Sequence, residues 1–230
     1  LGEKKYRAKQ IYQWIWRHRV TSFDEMSNLS ASLRERLNTV AKISTLDVAT
    51  KLKSVDGTVK YLWRLADGYT IESVLIPDGD RLTLCISSQV GCAMKCSFCL
   101  TGDLGLKRHL RTAEIISQPL QVSADLPDGE RITNVVMMGM GEPLHNFESV
   151  VTALDIMLDD HALNLSHKKV TVSTVGLVPM MAKLATRSPV NLAISVNATS
   201  EEQRRQVMPI THKYSLEDLM QAARDFQVGK

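Results

Sequence analysis

The sequence predicts an α/β fold: a partial (βα) barrel over residues 81–230, truncated at its C-terminal end. A small helical domain (1–45) and a short antiparallel β linker (46–80) precede it. Three observations carry that reading. Apolar residues recur at helical spacing near the start and alternate one by one after residue 46. They then gather into short runs separated by amphipathic stretches.

In the first stretch Tyr6, Ile11, Tyr12, Trp14 and Ile15 share a helix face. Ser22 with Glu25 and Ser32 with Glu35 have capping-box spacing, each a start signal for a short helix. In the linker Val59, Tyr61, Trp63 and Leu65 alternate with Lys60, Leu62 and Arg64, as a half-exposed strand requires. Asp56-Gly57 and Asp67-Gly68 suit tight turns between antiparallel strands. From residue 82 the apolar runs 82–88, 132–138, 170–174 and 191–196 read as strands covered on both faces. Phe147, Val150, Val151, Leu154 and Leu158 mark one helix between them. Leu216, Leu219, Met220, Ala223 and Phe226 mark another, opened by a Ser215/Asp218 box. Four strand–helix units in series imply a parallel sheet or a barrel left open, because no strand follows the fourth helix.

The chain is 44% hydrophobic over 230 residues, enough for a sizeable core. Its net charge of +3 says little, but the charge is unevenly placed. Residues 1–45 hold nine Lys/Arg against four Asp/Glu, whereas the rest holds nineteen against twenty-one. A basic N-terminus attracts phosphates, and it is equally the solvated face of a helix. All four cysteines (Cys85, Cys92, Cys96, Cys99) fall within fifteen residues, unlike a disulfide scaffold. With no signal peptide and no long apolar run, the expected setting is a reducing cytoplasm without a membrane contact.

The central motif is Cys92-Ala-Met-Lys-Cys96-Ser-Phe-Cys99, in the loop after the first barrel strand. Thiolates are soft ligands that hold iron–sulfur clusters, normally four to a cluster. Three leave one iron open, where the amino and carboxylate groups of S-adenosylmethionine (SAM) can chelate. An electron from the cluster then splits a carbon–sulfur bond of SAM and yields a 5′-deoxyadenosyl radical. Two other readings stand beside this one. Three cysteines with His109 could hold a structural zinc, and Cys85 could close the cluster as a fourth ligand. The spacing, with aromatic Phe98 before the last cysteine, favours the open 4Fe–4S cluster. Met138-Gly139-Met140-Gly141-Glu142-Pro143 follows the second strand, where α/β folds place ligands, and Glu142 could bind the SAM amino group. Ser173 and Ser195 end the third and fourth strands and could bond its carboxylate or ribose.

The cysteine motif resembles the signature of the radical SAM superfamily. Within it, Leu84-Cys85-Ile86-Ser87-Ser88-Gln89-Val90-Gly91-Cys92 resembles the RNA adenine methyltransferases of the RlmN type. So do Asn134 to Pro143, Val170-Thr171-Val172-Ser173-Thr174, Met208-Pro209-Ile210 and the segment around Tyr6-Arg7-Ala8-Lys9-Gln10-Ile11. The resemblance implies a radical SAM barrel that methylates carbon 2 of adenine in 23S rRNA and in tRNA. It implies two SAM per turnover: one methylates a cysteine near the C-terminus, the other supplies the radical that activates that methyl group. A covalent protein–RNA adduct follows, resolved when a second cysteine forms a disulfide with the first. By this match Cys85 is the resolving cysteine and Glu72 the proton acceptor. Gly141, Glu142, Ser173, Ser195, Val196 and Asn197 match SAM-contacting positions. Ser195-Val196-Asn197-Ala198 stands where the family commonly has Ser-Leu-His-Ala, and Asn cannot titrate. The methyl-carrying cysteine is expected beyond Lys230. The resemblance further implies a one-electron donor such as flavodoxin and a monomer. The rival within the family is a carbon-8 rRNA adenine methyltransferase conferring antibiotic resistance. The rival outside it is a non-catalytic RNA-binding module with a structural metal.

Overall fold

In a computed structural model, which describes residues 1–226, the chain opens with helices α1 (Lys5–Arg17) and α2 (Ala31–Val40). Val20, Phe23, Met26, Leu29, Leu33 and Leu37 form a small core of their own, while Trp16 of α1 reaches the main one. The Ser22/Glu25 box forms, over a 3₁₀ turn at Phe23–Glu25. The Ser32/Glu35 box does not. Ser30 caps α2 instead, its Oγ accepting the Leu33 N–H at 3.4 Å. Leu33 and Leu37 must face the small core, so the helix is already turning at Ala31.

Four antiparallel strands follow: β1 (Asp47–Lys53), β2 (Val59–Arg64), β3 (Thr70–Asp78) and β4 (Arg81–Cys85). The expected alternation holds in β2, where Val59, Tyr61 and Trp63 are buried. At the first turn the Thr58 N–H donates to Asp56 Oδ1 at 3.0 Å, and Gly57 takes the left-handed φ of +87°. The chain continues through β5 (Gln89–Val90), α3 (Leu100–Asp103), β6 (Arg108–His109) and α4 (Thr112–Asp125). Then come β7 (Asn134–Met137), α5 (Phe147–Leu158), β8 (Val170–Thr174), α6 (Val178–Arg187), β9 (Asn191–Ile194), α7 (Glu201–Val207) and α8 (Leu216–Asp225). Strands β4, β7, β8 and β9 are parallel, so the meander and the strand–helix repeats form one seven-stranded sheet, ordered β1-β2-β3-β4-β7-β8-β9.

The two faces of the parallel part differ, contrary to the expectation of strands covered on both. Leu84, Val135, Met137, Val170 and Val172 are buried in the main core, with Val150, Val151, Leu154 and Met157 of α5. Burying each such side chain contributes about 1.5–3 kcal/mol. The opposite face carries Cys85, Val136, Thr171 and Ser173, all only half-buried. Strand parity explains this: Val74 pairs with Cys85, Cys85 with Val136, and Val136 with Thr171, so these residues point one way. Glu72, two residues before Val74, lies on that face as well.

A buried amide joins the meander to this sheet. Gln118 of α4 donates from Nε2 to the Ser87 carbonyl and accepts at Oε1 from the Ser87 N–H, both at 2.9 Å. The same Oε1 accepts from Ser73 Oγ at 2.8 Å, which in turn accepts from Trp63 Nε1 at 2.9 Å. Gln118 also lies 3.4 Å from the Ile115 carbonyl, which Pro119 has no N–H to satisfy.

Candidate active site

The loop between β5 and β6 holds the three motif cysteines. Gly91 opens it at φ +72°, and a Cβ there would stand 1.8 Å from the Gly105 carbonyl oxygen, so only glycine fits. At the far side the Ser97 N–H donates to the Val207 carbonyl at 2.9 Å, tying the loop to the end of α7. Cys92 and Cys96 are buried, Cys99 is half-buried, and all are free thiols. They line a cavity of about 290 Å³ with Phe98, Met138, Gly141, Glu142, Ser173 and Ser195. Burial pushes the Cys92 thiol up and the Cys96 thiol to about 11, and the neighbouring cysteines add to the effect at Cys96. Removing these thiols from water disfavours a free thiolate and favours one held by a cation.

Gly141 and Glu142 form the opposite wall. Gly141 has φ +99°, and a Cβ there would meet the Gln89 side chain at 2.4 Å. Gln89 is the local anchor: its Oε1 accepts the Glu142 N–H at 2.8 Å and its Nε2 donates to His109 Nδ1 at 2.8 Å. Glu142 Oε1 accepts from the Leu144 N–H at 3.0 Å and Oε2 from the Val175 N–H at 2.8 Å. Its carboxylate thus bridges the loops after β7 and β8, with lone pairs left for a ligand amino group. Burial raises its pKa to about 7, against the pull of these donors.

Of the expected residues, Cys92, Cys96, Cys99, Gly141, Glu142, Ser173 and Ser195 meet at this cavity. Val196 and Asn197 follow Ser195 outside its lining, and Asn197 is exposed with φ +54°, a conformation asparagine tolerates. Cys85 is also outside the lining. It is half-buried at the end of β4, its thiol pushed up by burial and receiving the Met138 N–H. Glu72 pairs with Lys60 at 2.8 Å, and its carbonyl accepts from Ser87 Oγ at 2.6 Å. The same Ser87 Oγ accepts the Met140 N–H, so Glu72 connects through one hydroxyl to the glycine loop. Gln89, Gln118 and Arg204 were not singled out in the sequence. The polar trio Ser87-Ser88-Gln89 closing an apolar strand was the available signal for the first.

Two of the larger grooves, about 560 and 830 Å³, lie at the other end of the strands and contain no cysteine. Among the described residues no three His, Cys, Asp or Glu side chains converge tightly enough for a single metal ion. His109, the fourth ligand in the alternative zinc reading, faces Gln89 and stacks edge-on against His145 instead.

Three soft donors around one cavity, at the carboxyl ends of a half-open parallel sheet, are the donor set an iron–sulfur protein of the α/β class uses. Residues 86–227 match the family described as the Radical SAM superfamily, and residues 1–43 match the ribosomal RNA large subunit methyltransferase N-terminal domain. The chain is 52% identical over 225 residues to the dual-specificity RNA methyltransferase RlmN of Geobacter sulfurreducens, covering 98% of this chain and 61% of that protein. It is 51% identical over 226 residues to the RlmN of Pelobacter propionicus, covering 98% and 64%. The crystal structure of a radical SAM methyltransferase from Sphaerobacter thermophilus superposes with a TM-score of 0.92 at 38% identity, covering 98% of this chain and 67% of that one. The chain belongs to the radical SAM superfamily. It spans about three-fifths of the length of these curated relatives. A 4Fe–4S cluster and SAM are the cofactors this membership brings, and three free thiols beside Glu142, Ser173 and Ser195 suit them chemically. No helix among the described residues is long and apolar enough to cross a membrane.

Proposed function

We propose that this chain is the cofactor- and RNA-binding part of an enzyme that methylates carbon 2 of adenine in 23S rRNA and tRNA. The observation that carries the reading is the convergence of Cys92, Cys96 and Cys99 with Glu142, Ser173 and Ser195 on one cavity. When bound, a 4Fe–4S cluster with SAM on its open iron supplies one-electron cleavage of a carbon–sulfur bond. The three cysteines would hold the cluster, Glu142 the amino group of SAM, and Ser173 and Ser195 its remaining polar groups. Gly141 makes room for the Gln89 side chain that anchors this wall, and Val196 and Asn197 continue the same rim.

Glu72 and Cys85 share the half-exposed sheet face with Ser173, which supports their roles as proton acceptor and resolving thiol. Residues 1–45 would bind RNA, 46–80 connect, and 81–230 carry the cofactors. On α1 and at its N-cap, Lys4, Lys5, Lys9 and Arg17 are exposed and available for phosphates. Arg19 is otherwise engaged, donating to the Ser123 carbonyl at 2.5 Å, and Arg7 donates to Gln10 at 2.8 Å. A reducing cytoplasm, a donor such as flavodoxin and a monomeric state belong to the same reading.

Liquid chromatography with mass detection of nucleosides from rRNA and tRNA treated with the complete protein, run against 2-methyladenosine and 8-methyladenosine standards, tests it. Methyl on carbon 2 of both supports the assignment; methyl on carbon 8 moves the protein to the rival activity; neither product refutes methyl transfer.

A further inference from the structure

Arg204 is 1% exposed, among the largest fully buried side chains of the molecule. A guanidinium taken out of water is costly unless its donors are filled and its charge is answered. Three separate segments take four of its five N–H donors and engage all three nitrogens. Nη2 donates to the Val175 carbonyl at 2.6 Å and the Ser195 carbonyl at 3.2 Å, at the ends of β8 and β9. Nε donates to the Val196 carbonyl at 3.2 Å, and Nη1 to Thr211 Oγ1 at 2.7 Å. Its charge is not answered by a carboxylate among the described residues: Glu201, whose field reaches it, pairs with Arg205 and caps Leu216. Two of its acceptors, Val175 and Ser195, line the cavity together with the three motif cysteines, so its charge stands directly behind that wall.

We propose that Arg204 is a positioning residue of the cofactor cavity, locking the ends of β8 and β9 and standing as the fixed counter-charge to the cluster thiolates. The inference rests on the reading of this cavity as the cluster and SAM site. Val175 relays the clamp, because its carbonyl accepts from Arg204 while its N–H donates to Glu142. Ser195 is held from its carbonyl side, which sets where its hydroxyl meets the cavity.

The test uses the complete protein with its cluster installed anaerobically, in wild-type, Arg204→Gln and Arg204→Lys forms. SAM affinity is measured by calorimetry and the cluster's midpoint potential by redox titration followed with electron paramagnetic resonance. Arg204→Gln should weaken SAM binding about tenfold, the scale of a lost charged hydrogen bond, and lower the potential, because the added electron loses a nearby cation. Arg204→Lys should restore the potential but not the affinity, since an ammonium keeps the charge without the fork. An unchanged affinity or an unchanged potential in Arg204→Gln overturns the proposal. Should Arg204→Gln not fold, wild-type affinity in Arg204→Lys overturns it. Wild-type protein that fails to bind SAM would instead refute the reading of the cavity.

Discussion

Gln118 shows how much one side chain can decide. Its amide satisfies both backbone groups of Ser87 and the hydroxyl of Ser73, which fixes where the chain leaves β4 for the cysteine loop. Gln118→Leu leaves those groups buried and unpaired, and should cost roughly 2–3 kcal/mol. Thermal melting of the variant reads that loss, and a melting temperature equal to the parent's would show that the network contributes nothing. Cysteines and glycines at this scale were legible in the sequence because they are rare types in a tight pattern. Gln118 was not, because an isolated polar residue in an amphipathic helix looks like its solvent face until the fold turns it inward. Arg204 hid the same way, in the doublet Arg204-Arg205, of which only Arg205 faces water.

At the level of elements, α4 is anchored by a buried acid. Glu114 is 2% exposed, forms ion pairs with Arg108 at 2.8 Å and Arg111 at 3.2 Å, and accepts the Arg111 N–H. Burial pushes its carboxyl up, but the Arg108 and Arg111 donors outweigh this and hold it below the usual range. A folded-state pKa below the unfolded one means the stabilisation is present above about pH 4.5 and is lost as pH falls through the folded value. Glu114→Gln should therefore flatten the acid side of a stability-against-pH curve, and an unaltered curve would contradict the anchoring role. Helix α1 makes a different prediction. Replacing Lys4, Lys5, Lys9 and Arg17 with Ala should weaken RNA binding and reduce its dependence on salt, because phosphate contacts release counterions. An unchanged salt slope would leave them as a solvated face. Long amphipathic elements were readable: α5 spans Phe147–Leu158 as its apolar spacing indicated. Strands β5 and β6 were not, since two residues carry no period, and the start of α2 fell to Ser30 because burial of Leu33 and Leu37 set its register.

Over the whole molecule, the antiparallel meander runs without a break into the parallel strands, so β3 lends Glu72 to the same face that β4, β7, β8 and β9 lend the rest. The sequence pattern separated the two kinds of strand correctly by period, but a shared sheet is a long-range pairing that no local period encodes. It also suggested strands covered on both faces; the half-buried face carries Glu72, Cys85 and Ser173 of the candidate site, and there its polarity departs from the rule. The central claim is that Cys92, Cys96 and Cys99 hold an open cluster that cleaves SAM. Anaerobic reconstitution of the complete protein with iron and sulfide, followed by reduction with SAM present, tests it most directly, with Cys96→Ser alongside. The parent should retain a 4Fe–4S cluster and release 5′-deoxyadenosine, and Cys96→Ser should lose both. A Cys96→Ser protein that keeps its iron and cleaves SAM at the parent's rate would contradict the account.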